Sequence, residues 1–182
     1  MQINDPGNPQ IDIAPFDPKS QARKDFDCGV PQINNFLKLT AKKATGSDVI
    51  RVWVALDVNR RILGYYGICM HSVIADEMPE FPAKQALKNR SLPTAFISMI
   101  GVDLQMQGNG MGSALLADAL CRIGRISNEI ATFAVLLDVF DCGDPETVAR
   151  RKIYYESFGF AALPDQPMRL FMPMQTVRML SG

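Results

Sequence analysis

Three alternate glycines are the feature of this sequence whose spacing points most directly to chemistry. Gly108, Gly110 and Gly112 follow the apolar run 96–102 and lead into a helical pattern. Glycine lets the backbone approach an anion closely, and a helix N-terminus presents N–H groups and the positive end of its dipole. The spacing therefore predicts a phosphate-binding loop. The alternative is a flexible turn between two elements.

A pair of tyrosines forms a second candidate group, at the end of another predicted helix. Tyr154 and Tyr155 are followed by Gly159 and Phe160. Adjacent residues on a helix do not share a face, so we expect Tyr154 to lie in the core and Tyr155 to take part in chemistry. A tyrosine hydroxyl is protonated at neutral pH and can donate a proton. The alternative is that Tyr155 only packs within an amphipathic helix.

The composition limits what other chemistry the chain can do. It has 182 residues, of which 47% are hydrophobic, and a net charge of +0, which indicates a folded protein without a general affinity for nucleic acid. The four cysteines form no Cys-x-x-Cys pair, and His71 is the single histidine. We therefore predict no metal site and a structural role for His71. No apolar run approaches the roughly 20 residues of a membrane helix, so we predict no membrane contact.

The elements that must position these groups follow an alternating α/β order. Apolar periodicity predicts strands over 11–16, 49–56, 62–73, 96–102, 132–139 and 170–174. It predicts helices from Pro31 (with Leu39 on the apolar side), over 111–126 and over 145–157, and a loop over 75–93 with a short helix at 83–88. We expect residues 1–10 to form a flexible N-terminal tail and residues 11–182 to form a single domain.

The two motifs together resemble the GCN5-related N-acetyltransferase (GNAT) superfamily. Its acyl-CoA loop reads Gln/Arg-x-x-Gly-x-Gly/Ala, which Gln107, Gly110 and Gly112 match. Its late helix often ends in Phe-Tyr-x-x-x-Gly-Phe, which Tyr155 and Gly159 match. The resemblance implies the GNAT fold, an α/β (α+β) architecture with a mixed central sheet of about six to seven strands flanked by helices. It also implies acetyl-CoA as the cofactor.

Three further segments are similar to a narrower group, the acetyltransferase toxins of bacterial type II toxin–antitoxin systems. These segments are Phe26–Gly29, Gly64–Tyr66 and Pro164–Pro173. The group implies acetylation of the α-amino group of aminoacyl-tRNA, which blocks translation. It further implies a ribbon-helix-helix antitoxin as partner, a homodimer and a cytoplasmic location. In two departures, Met99 replaces a common arginine and residues 141–145 are additional.

Within this resemblance, the CoA-binding residues lie on the strand before the loop, in the loop and in the first turn of the helix. Backbone N–H groups of the loop are expected to hold the pyrophosphate, and the strand is expected to align pantetheine and polarise the thioester carbonyl. The residues are Ile100, Gly101, Val102, Gln107, Gly108, Asn109, Gly110, Met111, Gly112 and Ser113.

Tyr155 is the catalytic candidate, as the general acid that protonates the leaving thiolate. A phenol titrates at about 10 and a thiol at about 8.5, so Tyr155 carries its proton when the sulfur departs. The α-amine of an aminoacyl group titrates near 8 and needs little help from a base. Asp138 and Glu156 are candidate bases, although a solvated surface explains both equally well.

A tRNA acceptor requires phosphate contacts from cationic side chains. The candidates are Lys42, Lys43, Lys84, Lys88, Arg90, Arg150, Arg151 and Lys152. The alternative is an ordinary charged surface. Two other functions stay open at this point: an acetyltransferase for a small-molecule amine or a protein N-terminus, and a non-catalytic acyl-CoA-binding module.

Overall fold

A computed structural model of the protein describes residues 2–3, 11–79 and 90–181. The described strands are β1 (Gln2–Ile3), β2 (Ile11–Pro15), β3 (Arg51–Leu56), β4 (Ile62–Ile74), β5 (Ser91–Val102), β6 (Ala134–Asp138), β7 (Ala161–Leu163) and β8 (Gln166–Pro173). The described α-helices are α1 (Pro31–Asn35), α2 (Ala41–Gly46), α3 (Met111–Ile126), α4 (Pro145–Ser157) and α5 (Met174–Ser181).

The described chain divides into two compact units. The first comprises the chain up to Cys69 together with Ser98–Ala119, and the second comprises Met70–Ile97 together with the chain from Leu120 onward. In the first unit, β1, β2, β3 and β4 pair antiparallel in chain order. In the second unit, β5 pairs parallel with β6, and β8 pairs antiparallel with both β6 and β7. The predicted α/β class with a mixed sheet is confirmed: the described residues contain seven strands of three or more residues, together with the short β1.

In the first unit, the helical segment that begins at Pro31 buries a single line of side chains. Ile33, Leu37 and Ala41 are buried at a spacing of four residues. A π-helical turn at Phe36–Thr40 joins α1 to α2. The prediction that Leu39 faces the core is wrong, because Leu39 is 76% exposed. The wider turn keeps Leu37 and Ala41 on the buried line and leaves Leu39 on the outside.

The hairpin and the two long helices agree with the sequence prediction. β3 pairs with β4 from Arg51 opposite Ile68, with an irregularity between Ala55 and Leu56. Helix α3 spans 111–126 and α4 spans 145–157, as their patterns predict. Gly159 follows α4 with a φ of 99°, so it ends the helix in a conformation that favours glycine.

Two segments of the second unit differ from the prediction. Strand β5 begins at Ser91, within the segment predicted as a loop, because Leu92 packs into a buried cluster with Val73 and Leu136. The last strand begins at Gln166 rather than at Leu170, and β7 and α5 were not predicted. A three-residue strand is too short to show alternation. The short helix predicted at 83–88 lies outside the described residues.

Candidate functional site: a glycine loop and a buried tyrosine

The glycine loop, residues 107–112, joins a short 3₁₀ turn after β5 to helix α3 in the first unit. Gly108 and Gly110 have φ values of 79° and 77°, in the left-handed region. A Cβ atom at either position meets nothing within 4 Å. Glycine is therefore required here for its backbone conformation, and the surface of the loop is open to a bulky anion.

Helix α3 begins directly after this loop. The Ala114 N–H donates to Gly110 O at 3.0 Å, so the hydrogen bonds of the helix begin at the glycine loop itself. Backbone N–H groups at a helix N-terminus, together with the helix dipole, favour an anion. The open loop and this helix end fit the pyrophosphate of CoA.

The side chain of Gln107 anchors the glycine loop. Its Nε2 atom donates to Val102 O at 3.0 Å and to Cys28 O at 3.1 Å. The amide therefore fastens the start of the glycine loop to the end of β5 and to the turn that contains Cys28. Binding of a phosphate is left to the backbone.

Asp103 is a second anchor of the loop, and sequence reasoning missed it. This carboxylate is 2% exposed and accepts from Gln105 N at 3.1 Å and from Asp27 N at 3.3 Å. Arg61 Nη2 lies 3.3 Å from Asp103 Oδ1 and neutralises the buried charge. The signal in the sequence was an acidic residue directly after an apolar strand, but its partners are distant along the chain.

The strand residues Ile100–Val102 differ in what they contribute. A Cβ atom at Gly101 lies 2.8 Å from Ile33 Cγ2 and 3.3 Å from Tyr65 Cε1, so close packing explains this glycine. The parallel register of β5 with β6 covers Thr94–Ile97. Residues 100–102, at the end of β5, come after the four residues of that register.

In the second unit, α4 carries Tyr155. The helix is capped by Asp144, whose carboxylate accepts from the Glu146 and Thr147 N–H groups at 3.3 Å, and Pro145 occupies its first turn. Tyr155 lies near the C-terminal end and is 9% exposed. These features make the helix a fixed support for the phenol.

The surroundings of Tyr155 keep its hydroxyl group protonated. Its ring lies 5.4 Å from that of Tyr154 and 6.4 Å from that of Phe160, edge to face. The pKa of Tyr155 is raised to about 12, mainly by burial; Tyr154 adds to the rise and Arg151 acts against it. The phenol is therefore protonated throughout the physiological range. The prediction that Tyr154 belongs to the core is wrong, because Tyr154 is only half-buried and packs on Phe158 at 5.2 Å.

The described cationic candidates fall into two groups by exposure, with Arg151 and Lys152 half-buried and the others exposed. Arg151 and Lys152 have local partners: Arg151 Nη1 donates to Phe140 O at 3.2 Å, and Lys152 Nζ lies 3.9 Å from Glu156 Oε1. Arg150 is exposed and donates to Thr147 Oγ1 at 2.9 Å. The other described candidates, which are also exposed, are Lys42, Lys43 and Arg90. Lys84 and Lys88 lie outside the described residues.

Comparison with known proteins identifies the family. No family model matches the chain. A protein of Sinorhizobium fredii named "Probable toxin TacT" is 42% identical over 171 residues, which cover 93% of this chain and 94% of that protein. This chain belongs to the TacT family of toxins. A Mycobacterium tuberculosis protein named "tRNA-acetylating toxin" is 26% identical over 159 residues, covering 86% of this chain and 89% of its own.

Solved structures place the TacT-family chain in the fold that its sequence predicts. AtaT complexed with acetyl-methionyl-tRNAfMet superposes with a TM-score of 0.83 at 20% identity and covers 94% of this chain and 99% of its own. An AtaT mutant bound to the C-terminus of the antitoxin AtaR and acetyl-CoA gives a TM-score of 0.76 at 20% identity and covers 93% of this chain and 97% of its own. The GNAT fold is thereby confirmed.

Both carboxylates considered as bases in this TacT-family protein are paired. Asp138 accepts two bonds from Arg169, Nε to Oδ1 at 2.7 Å and Nη2 to Oδ2 at 2.9 Å. Glu156 faces Lys152. Each candidate base therefore already has a cationic partner.

In the described part of the chain, no group of three or more His, Cys, Asp or Glu side chains is placed to hold a metal ion. Likewise, no described helix combines the length and the hydropathy that crossing a membrane requires.

Proposed function

We propose that this protein is an N-acetyltransferase that moves the acetyl group of acetyl-CoA to the α-amino group of aminoacyl-tRNA and so blocks translation. The observation that carries the proposal is the open loop of backbone donors before α3, in a chain of the TacT family. The acceptor follows from the two relatives, one named for acetylating tRNA and the other complexed with an acetylated aminoacyl-tRNA.

The cofactor supplies an acetyl thioester, and the chain supplies binding, orientation and a proton. We assign Gln107–Ser113 to the pyrophosphate through backbone N–H groups, each bond to a charged group contributing roughly 1.5–3 kcal/mol. Ile100 and Val102 align the pantetheine arm as an additional strand. Gln107 and Asp103 keep the loop in place for this contact.

Tyr155 is assigned to the leaving sulfur. The amine forms a C–N bond, the C–S bond breaks, and the amine proton passes to solvent while the thiolate receives a proton. A phenol with a pKa of about 12 is a weaker acid than a thiol of about 8.5. Tyr155 therefore acts first as a hydrogen-bond donor to the developing thiolate, and solvent returns its proton if transfer completes.

The remaining assignments concern partners and location. We propose that a ribbon-helix-helix antitoxin neutralises the enzyme, since AtaT binds its antitoxin AtaR. We further propose a homodimer and a cytoplasmic location, where charged tRNA and acetyl-CoA are both present. Light scattering of the purified chain measures the oligomeric state, and a monomer at micromolar concentration contradicts the dimer.

The acceptor is tested with radiolabelled acetyl-CoA and a pool of charged tRNA. We expect label on the aminoacyl end, released as an N-acetyl amino acid on mild alkaline treatment, and no label on the same tRNA after deacylation. Tyr155→Phe is the matched variant and transfers far less label.

Other outcomes of this experiment assign a different function to the protein. Label on small amines or protein N-termini but not on RNA rejects the tRNA acceptor and keeps the enzyme. Binding of acetyl-CoA without transfer to any acceptor rejects catalysis and leaves a non-catalytic acyl-CoA-binding module.

A further inference from the structure

Four strands of the second unit present a row of polar and aromatic side chains that the proposed mechanism does not use. The His71 ring lies 5.5 Å from the Phe96 ring, tilted by 41°. The Arg169 guanidinium carbon lies 5.9 Å from the centre of the same ring. Phe96 is in register with Leu136, and Asp138 is in register with Arg169. Because side chains alternate along a strand, Phe96, Asp138 and Arg169 share one face of the sheet.

Phe96 in this row packs against a buried hydrophobic cluster. Phe96 is half-buried and packs against a cluster that contains Val73, Leu92, Leu136 and Phe171. His71, at one end of the row, is exposed. The ring of Phe96 is therefore held by the cluster, next to the exposed His71 and the half-buried Arg169.

Arg169 is held in one orientation by Asp138. The two parallel bonds, at 2.7 and 2.9 Å, fix the plane of the guanidinium, and Asp138 raises the pKa of Arg169. The pair also cancels most of the charge that attracts a phosphate. A guanidinium that is planar, fixed and neutralised suits a flat, uncharged ligand that stacks on it.

We propose that His71, Phe96 and Arg169 form a stacking platform for an unpaired nucleobase, the terminal base next to the aminoacyl group of charged tRNA. The proposal rests on the proposed function, since an RNA acceptor brings such a base to the enzyme. Proteins recognise single-stranded RNA by stacking bases on aromatic rings and on guanidinium planes. His71, which the sequence predicts to be structural, becomes a ligand-binding residue.

The binding test uses a short RNA that ends in 2-aminopurine, whose fluorescence falls when it stacks. We expect quenching with the wild-type protein and binding about tenfold weaker for His71→Ala and for Phe96→Leu. The matched controls are Met70→Ala, an exposed neighbour on the same strand, and Phe133→Leu, a half-buried phenylalanine packed on the same cluster. Equal quenching in Phe96→Leu and Phe133→Leu, both folded, overturns the platform.

The kinetic test separates the platform from the proposed function. In His71→Ala we expect the KM for charged tRNA to rise about tenfold, with kcat and the KM for acetyl-CoA unchanged. If the wild-type protein acetylates charged tRNA but this KM does not move, the platform is wrong and the function stands. If the wild-type protein acetylates no tRNA but quenches the labelled RNA in the expected pattern, the function is wrong and the base site stands.

Discussion

The glycine loop and helix α4 present two kinds of functional surface. In the loop, Gly108 and Gly110 offer only backbone, and the nearby side chains of Gln107 and Asp103 serve to anchor it. In α4, the backbone is committed to the helix. The chemistry that we propose for this helix falls to a side chain, that of Tyr155. We therefore expect substitutions in the glycine loop to act through the backbone conformation. Substitutions in α4 are expected to act through the loss of single side-chain atoms.

We expect the largest effect on activity from the removal of one oxygen atom in α4. Tyr155→Phe keeps the buried ring and its contacts with Phe160 but loses the donor. We expect kcat to fall about 10²–10⁴-fold, the range typical of a positioned proton donor, with little change in the KM for acetyl-CoA. Steady-state kinetics against both substrates measures this. A variant that retains full kcat assigns Tyr155 to packing alone.

The next largest effect is expected from a change of backbone preference in the glycine loop. Gly110→Ala forces a side chain into φ near 77°, at a cost of about 1–2 kcal/mol, and shifts the N–H groups that we assign to the pyrophosphate. We expect acetyl-CoA binding to weaken about tenfold. Gly143→Ala is the matched control, because Gly143 has a φ of 80° and equally open surroundings in a loop before α4. Calorimetry should show similar destabilisation in both variants but weaker binding in Gly110→Ala alone.

Release of the loop from its anchor is expected to have a smaller effect. Gln107→Ala removes two hydrogen bonds of about 1 kcal/mol each in net terms, while the glycines keep their conformation. We expect the dissociation constant of acetyl-CoA to rise about fivefold. Gln32→Ala, at an exposed position of α1, is the control. If Gln107→Ala abolishes binding, the side chain contacts the cofactor and the anchoring role is wrong.

Loss of a surface charge in α4 should matter least among the substitutions. Arg150→Ala removes an exposed cation assigned to a tRNA phosphate, and one such contact changes the salt dependence of binding by about one unit of slope. We expect a two- to threefold rise in the KM for charged tRNA at low salt. Arg125→Ala, an exposed arginine in the last turn of α3, is the control. Equal effects of the two variants indicate a general charge effect and no specific contact at Arg150.

The sequence predicted local features of both regions and failed where distant residues meet. Helix α4 was predicted because its apolar spacing and its Pro145 start are local signals. The glycine loop was predicted from three alternate positions within one short segment. The anchoring of Gln107 by Cys28 was not predictable, since 79 residues separate them and no local pattern records the contact. The exposure of Leu39 was missed for a related reason, because a π-helical turn changes the spacing on which periodicity depends.

The ion pair between Asp138 and Arg169 is another contact that the sequence could not predict. A lone carboxylate at the end of a strand was a candidate base by residue type. The register of β6 with β8 places an arginine directly opposite, and that register depends on packing across the sheet. Site chemistry deduced from residue types alone therefore overestimates the number of reactive groups.

The pH dependence of the rate distinguishes a buried phenol from an exposed one, because a buried donor causes no fall in rate up to about pH 10. The pKa of Tyr155 is raised, so the protonated donor persists up to about pH 12, whereas an ordinary tyrosine is half ionised at about pH 10. We expect kcat to rise as the acceptor amine loses its proton near pH 8 and then to stay level to about pH 10. The measurement uses an amide-linked analogue of charged tRNA, which resists alkaline hydrolysis. A fall in kcat centred below about pH 10 contradicts a buried donor, and a fall that persists in Tyr155→Phe assigns the titration to another group.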